Sequence, residues 1–378
     1  MHLNNNTVAM LPYDKCTGCF ACYNACPNNA IKMKLSPYGF YRPEIVTSRC
    51  NNCGLCSIKC PTLGNTSASP INRTEANILS YAAWSKNNAL RKNSSSGGIF
   101  TEIANTILDW SGIVYGVRWK SDWTLCHAKA ESKQELLPFQ GSKYLQSNIG
   151  LTYKEISQMV RNGRTVLFSG LPCQVAALHK FVDSENLITI DLVCHGTPSI
   201  IVFHRYLEYV SNSRTAKSIN FRNKENGWSK FRISIDFTDG SSYSDTFRQD
   251  PFLVGFLSDL YLNDACYSCS FCSMPRQGDL TLADYWGVPK EYKNDLGVSL
   301  ILSNNEKGDK ILDTLKDKGN VELIQIPSES TLKGNPRIVN GKLQIPKQRE
   351  SFLFQIQRTD FQNLQHIISE VNCFQIKK

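Results

Sequence analysis

Between residues 30 and 46 the apolar positions fall on alternate residues. Ile31, Met33 and Leu35 form one run, Tyr41 to Ile45 form the next, and Pro37 to Gly39 lie between them. A period of two matches the pleat of a strand, so the pattern predicts a hairpin with one apolar face. From 96 to 110 the period lengthens. Ile99, Ile103 and Ile107 predict a helix with one buried stripe, introduced by Ser and Gly residues suited to a cap. The runs "GIVYGV" (112–117) and "TVLFSG" (165–170) predict short buried strands. In "PCQVAALHKF", Pro172 stands at a first helical position, where a missing N–H costs nothing. "LITIDLVC" predicts another strand and "PSIIVFHRYLEYV" another helix. Strand, helix, strand, helix from 165 to 210 predicts parallel pairing through a βαβ crossover. Residues 230–247 alternate around Asp239 and Gly240, a hairpin signal, and "DLTLAD" and "VSLILSN" add two strands. The expected class is α/β, with a mixed α+β core. The last 40 residues or so carry little pattern.

Composition narrows the chemistry. The 378 residues, enough for two or three domains, include 15 Cys. The N-terminus has no basic start followed by an apolar run, and no stretch approaches the roughly 18 apolar residues of a membrane span. A cytoplasmic protein is therefore expected, in which so many thiols serve metal or redox chemistry rather than disulfides. The formal charge of +9 comes from scattered Lys and Arg, which argues against a nucleic-acid patch. Thiolate-bound 4Fe-4S cores are themselves anionic, at about −2 each, so basic residues also balance cofactors.

Cys16, Cys19, Cys22 and Cys26 are spaced C-x2-C-x2-C-x3-C before Pro27, and Cys50, Cys53, Cys56 and Cys60 repeat that spacing before Pro61. Three thiols at this interval can wrap one cubane, and Gly18 and Gly54 give the loops backbone freedom. In the bacterial ferredoxin pattern the fourth Cys serves the other cluster. Cys16, Cys19, Cys22 and Cys60 are thus assigned to one 4Fe-4S cluster, and Cys50, Cys53, Cys56 and Cys26 to its twin. Zinc sites pair cysteines in twos and do not need the triple spacing. This small N-terminal ferredoxin-type domain is expected over residues 1–65, followed by a polar linker over 66–84.

Two places in the remaining chain look chemical. "NSSSGGIF" (93–100) and "GSKYLQS" (141–147) place hydroxyls and glycine amides where a phosphate or flavin could be cradled. Cys173 begins a helix after a strand, Cys194 ends the next parallel strand, and Cys266, Cys269 and Cys272 follow at x2 spacing. Adjacent parallel strands put Cys173 and Cys194 on one rim of the sheet, where four thiols could hold a third cluster. Cys126 and Cys373 are read as small buried hydrophobes.

"SSSGGIF", "GSKYLQS", "GLPCQVAAL", "DLVCHGTPS", "INFRNKENGW" and "GDLTLADYWG" occur in this order. With them the chain resembles the coenzyme F420 hydrogenase/dehydrogenase beta-subunit family over residues 85–340. The resemblance divides that span into an N-terminal-like region (85–165) and a C-terminal-like core (166–340), ahead of a tail (341–378). It implies FAD beside a core 4Fe-4S cluster held by Cys173, Cys194, Cys266 and Cys269; Cys272 stands outside the usual C-x2-C-x-F motif. It maps Ser95, Ser96, Gly97 and Gly98, and Ser142 to Ser147 with Gln146, to the flavin region. Lys143 and Tyr144 are then expected beside the flavin ring or substrate as catalytic residues. Asp284 matches the aspartate of the family's G-D-F/Y-W-G motif, with Ala283 in place of glycine. His195, next to a cluster cysteine, is expected to hydrogen-bond sulfur.

The function expected from these parts is an oxidoreductase. Ferredoxin, or another low-potential donor, passes electrons through the clusters to FAD for two-electron reduction of a small or sugar-linked substrate. Many bacterial members of the family belong to polysaccharide-biosynthesis loci. The alternative is an electron-transfer subunit of a hydrogenase or dehydrogenase complex, with or without F420. An oligomer is compatible with either.

Overall fold

The alternating stretch near the N-terminus folds into the expected hairpin. β1 (Ile31–Leu35) and β2 (Tyr41–Ile45) pair antiparallel, with Ile31 opposite Ile45 and Leu35 opposite Tyr41. The structure is a computed structural model that describes residues 6–63, 73–74, 76–329 and 334–375. Ile31 packs with Cys22, Cys26 and Cys56, and Met33 and Ile45 lie against them. Leu35 instead points to solvent, 42% exposed, so the hairpin covers the thiols with only part of its apolar face.

The two cysteine loops share one backbone path. Each leads into a short helix, α1 (Ala21–Ala25) and α2 (Leu55–Ile58), through left-handed residues at matching positions. Gly18 (φ 67) corresponds to Asn52 (φ 56), and Phe20 (φ 66) to Gly54 (φ 75). Each copy therefore uses glycine at one left-handed position and tolerates a side chain at the other.

Beyond the loops, β3 (Leu79–Ser85), β4 (Ile113–Trp119), β5 (Leu125–Ala130), β6 (Ser147–Asn148), β7 (Val166–Gly170) and β8 (Leu187–Leu192) belong to one sheet. A separate antiparallel sheet holds β9 (Ala216–Asn223), β10 (Arg232–Phe237) and β11 (Ser242–Thr246), with β10 and β11 forming the hairpin expected around Asp239-Gly240. β12 (Leu280–Asp284), β13 (Ser299–Ser303) and β14 (Val321–Ile326) return to the first sheet. Among the described residues its order is β14-β3-β13-β12-β8-β7-β4-β5-β6. The parallel centre is β4, β7, β8 and β12, and the crossover from β7 to β8 passes through the helix that Pro172 begins.

The remaining helices cover this frame: α3 (Asn88–Asn93), α4 (Ile99–Asp109), α5 (Thr152–Arg161), α6 (Pro172–His179), α7 (Ile200–Ser211), α8 (Pro251–Leu257) and α9 (Glu306–Lys318). Ile99, Ile103 and Ile107 of α4 are buried against the sheet as their spacing predicts. Two further helices, α10 (Arg349–Gln355) and α11 (Gln365–Gln375), close the described chain.

Three features go beyond the expected organisation. The segment 66–84 falls partly outside the described residues, and its last part is β3, paired on both edges with β13 and β14. Ala82 and Ala83 are fully buried there; a strand covered on both faces loses the alternation that marks half-buried strands. Residues beyond 341 also join the core, where Phe352, Ile356, Phe361 and Leu364 are buried. Finally, the N-terminal domain is packed against the rest of the chain, with Phe20, Phe40 and Tyr41 part of the main core. No helix among the described residues is long and apolar enough to cross a membrane.

Candidate functional site

The N-terminal thiols gather in two groups. Cys60 lies close enough to Cys16, Cys19 and Cys22 for their charges to interact, so the end of the second copy meets the start of the first. Cys26, Cys50, Cys53 and Cys56 line a second small space, capped by Ala30 and Ile31. Backbone N–H groups of Val8 and Ala30 point at Cys56 Sγ and Cys26 Sγ, at 3.3 and 3.2 Å. Burial, with Cys60 nearby, pushes the Cys19 thiol up to about 12, and burial raises Cys22 well above its usual range. Thiolates packed so closely away from water need a metal cation among them, or they take up protons.

The parallel centre of the sheet assembles a third group. Cys173 is the second residue of α6, Cys194 follows β8, and Cys266 sits in the short turn Asp264–Tyr267 with Cys269 just beyond. These four thiols are mutually close enough for their charges to interact. The Thr197 N–H donates to Cys266 Sγ at 3.4 Å, and the Phe271 N–H to Cys269 Sγ at 3.4 Å. Cys272 lies buried behind Cys269, with its Sγ 3.8 Å from Cys269 O. The neighbouring Cys272 thiol draws the Cys269 thiol below its usual range. Cys126, on β5, is half-buried, and the side chain of Cys373 lies outside the described residues.

Above the carboxyl ends of β4, β7, β8 and β12 opens a cavity of about 810 Å³. Its walls include Ser95, Ser96, Gly98, Ser142, Lys143, Tyr144, Ser147 and Asp284, together with Cys194 of the third thiol group. This rim, where parallel strands end, is a common position for ligands in α/β sheets. The first turn of α4 (Ile99, Phe100, Thr101) forms one side. Lys143 donates to Gln140 O at 3.0 Å and Gly141 O at 3.1 Å, and burial pushes its amine down to about 7.

Several expected cofactor residues have other partners. Ser95 Oγ accepts from Ser142 N at 2.6 Å and Ser96 Oγ donates to Val298 O at 2.8 Å, so these hydroxyls tie loops together. Gly97 is absent from the cavity wall. A Cβ built there would meet Ala83 O at 2.4 Å, so the residue is small because β3 passes over it. Gln146 turns toward the N-terminal domain, donating to Thr17 O at 2.8 Å and Gly18 O at 3.0 Å. His195 lines the cavity, but its Nε2 lies 2.8 Å from Asp259 Oδ1 and 3.2 Å from Phe256 O rather than on sulfur.

Three family models match parts of the chain. Residues 15–63 match a 4Fe-4S dicluster domain, 80–150 match the coenzyme F420 hydrogenase/dehydrogenase beta subunit N-terminal domain, and 163–329 match that subunit's C terminus. The chain joins a dicluster domain to both beta-subunit domains. It is therefore an iron-sulfur protein of an oxidoreductase-related type. An uncharacterized protein of Methanocaldococcus jannaschii is 29% identical over 198 residues, covering 46% of this chain and 54% of that protein. The chain thus spans about half the length of this curated relative. A chain of the F420-reducing NiFe hydrogenase complex from Methanosarcina barkeri is similar at a TM-score of 0.49. Its identity is 16%, with 72% of this chain and 94% of that one covered.

In and beside the cavity lie residues that sequence patterns do not single out. Arg222 holds Asp284 through two bonds of 2.8 and 3.0 Å, and the Trp228 indole donates to the same carboxylate at 2.7 Å. Arg222 also donates to the Tyr144 hydroxyl at 3.2 Å and lies 4.0 Å above the Phe231 ring. Trp228 and Trp286 stack at 5.0 Å, so Asp284 is bound into an aromatic wall rather than free to meet a ligand. Arg337 donates to Cys194 O at 3.4 Å and Cys266 O at 3.1 Å, placing a buried cation beside the third thiol group. His127 stacks on Phe168 and bridges Ser147 and Ser169, both on the cavity wall. Because Ser169 O can only accept, His127 Nε2 carries the proton and Nδ1 accepts from the Ser147 hydroxyl. "INFRNKENGW" contains Arg222 and Trp228, but nothing local marks them as partners of a residue some 60 positions away.

Proposed function

We propose that the chain relays electrons from a low-potential one-electron donor to a two-electron site in the large cavity. The observation that carries this reading is Cys194, which belongs to the third thiol group and also lines the cavity. In this reading Cys16, Cys19, Cys22 and Cys60 hold one 4Fe-4S cluster, and Cys26, Cys50, Cys53 and Cys56 a second. Cys173, Cys194, Cys266 and Cys269 hold a third. Support comes from the N–H groups aimed at Cys26, Cys56, Cys266 and Cys269 and from the Arg337 cation, which offset thiolate charge.

FAD fits the cavity. The volume lies within the range of about 300–1,000 Å³ typical of small-molecule sites. Tyr144, Phe231, Phe247 and Trp286 offer flat walls, and the first turn of α4 suits a phosphate. Bound there, FAD supplies the change from single electrons to a pair. Tyr144, its hydroxyl fixed by Arg222 and its ring packed on Phe221 and Phe256, orients a ligand, and Lys143 Nζ holds negative charge beside it. A reduced ferredoxin suits the donor role, because the surplus of Lys and Arg, beyond what the clusters offset, attracts an acidic protein. The acceptor is a small or sugar-linked molecule. The beta-subunit matches favour a second reading, in which electrons pass to or from a separate catalytic subunit with F420 as the pair carrier.

Anaerobic purification with cofactor extraction tests the assignment. The expected result is about twelve iron atoms and one non-covalent FAD per chain. Cys194→Ser should lose one cluster's iron and slow flavin reduction by ferredoxin or dithionite. About eight iron atoms in the wild-type protein would remove the core cluster from the path. Fast flavin reduction by NADPH without ferredoxin would reverse the proposed direction of flow.

A further inference from the structure

Between the dicluster domain and the core lies a buried seam centred on Tyr153, near the start of α5. Its hydroxyl lies 2.9 Å from Cys19 O and 3.1 Å from Gln174 O, sharing one proton between two carbonyls. The first carbonyl belongs to a cysteine of an N-terminal thiol group, and the second belongs to the residue after Cys173. The Cys19 and Cys173 thiols also lie close enough for their charges to interact. Gln146 and Asn24 close the seam on either side, through Thr17 O, Gly18 O and Gly150 O. Away from the seam, Cys22 neighbours Cys56, and Cys53 of that second group is exposed. Thiols therefore run from solvent at Cys53, through Cys56, Cys22, Cys19 and Cys173, to Cys194 at the cavity wall.

We propose that Tyr153 is the bridge by which electrons cross from the dicluster domain to the core, with the Cys53 group at the solvent end of the path. This rests on the reading that all three thiol groups hold 4Fe-4S clusters. Electronic coupling decays less steeply along bonds and hydrogen bonds than across a gap. The path from Cys19 O through the Tyr153 hydroxyl to Gln174 O, and back one residue to Cys173, is continuous in that sense. Each crossing moves one electron and no proton. With clusters bound, iron at the inner N-terminal group would be oxidised and iron at the core group reduced, while the hydroxyl proton stays between the carbonyls. Tyr153 is thus a positioning residue that touches neither flavin nor substrate.

Tyr153→Phe removes the oxygen while keeping the ring on Phe181 (5.6 Å) and edge-on to Phe168 (6.2 Å). The full chain, purified anaerobically, would be reduced with limiting dithionite and sampled by rapid-freeze electron paramagnetic resonance. The expected result is wild-type iron content and wild-type spin–spin broadening, but loss of the fast phase of core-cluster reduction. Gln146→Met, which loosens the seam beside the bridge, should keep that fast phase. A wild-type fast phase in Tyr153→Phe overturns the proposal. So does a slow phase accompanied by lost spin–spin broadening, or equal slowing in Gln146→Met, because Tyr153 then only spaces the two parts. Wild-type protein with about eight iron atoms would overturn the cluster reading itself, and the bridge with it, before any variant is compared.

Discussion

Lys143 sets a pH dependence at the level of a single side chain. Its ammonium group is held by two carbonyls at the cavity wall, and burial draws its pKa down to about 7. An anionic ligand prefers the protonated amine. Affinity for a phosphate-bearing cofactor should therefore be full below pH 7 and decline as pH rises through it, since binding must then also take up a proton. Titration of apoprotein with FAD between pH 6 and 9 checks this, and Lys143→Met should bind more weakly with a flatter profile. Lys143 was legible because a motif surrounds it. Arg222, Arg337 and Tyr153 were not, because each acts through groups far away in sequence: Asp284, the backbone at Cys194 and Cys266, and the Cys19 carbonyl.

At the level of elements, the helix that begins at Ile99 and the strand β3 are built against each other. Gly97 donates its N–H to Ser299 Oγ at 3.0 Å, with Ala83 O directly over its Cα. Gly97→Val would push β3 from β13, at a cost of about 2–3 kcal/mol typical of overpacked sites. The expected outcome is a lower melting temperature in apoprotein and holoprotein alike. A variant with wild-type stability and selectively weakened FAD binding would instead return Gly97 to the cofactor wall. Periodicity identified α4 and both hairpins, short apolar runs marked β7 and β8, and Pro172 marked the start of α6. β3 escaped because its two faces are both covered and its center is two alanines, which leave no period to read.

At the scale of the whole molecule, one carboxylate joins three regions. Asp264, at the start of the turn that carries Cys266, accepts from Arg42 of the N-terminal hairpin at 3.3 Å and from Arg349 of α10 at 2.8 Å. Arg42 also donates to Asn263 Oδ1 at 3.0 Å and lies over the Tyr13 ring. Arg42→Met keeps the length but removes these bonds, and should cost about 2 kcal/mol, as for hydrogen bonds to charged groups. Limited proteolysis should then release the N-terminal domain faster, while its own iron content stays unchanged. Unaltered proteolysis would mean that the apolar contacts of Phe20, Phe40 and Tyr41 hold the domain by themselves. The sequence by itself determined the thiol triplets, the βαβ unit and the parts in their order. Those are local properties: thiols two residues apart can wrap one small core, and apolar period follows from helix or strand geometry. Only the tertiary structure decided that the N-terminal domain is docked at the Cys173 edge, that residues beyond 341 complete the core, and that Cys194 faces the cavity. Those outcomes depend on pairs as distant as Arg42 and Asp264, 222 positions apart, which meet through sheet order and side-chain burial rather than through any local pattern.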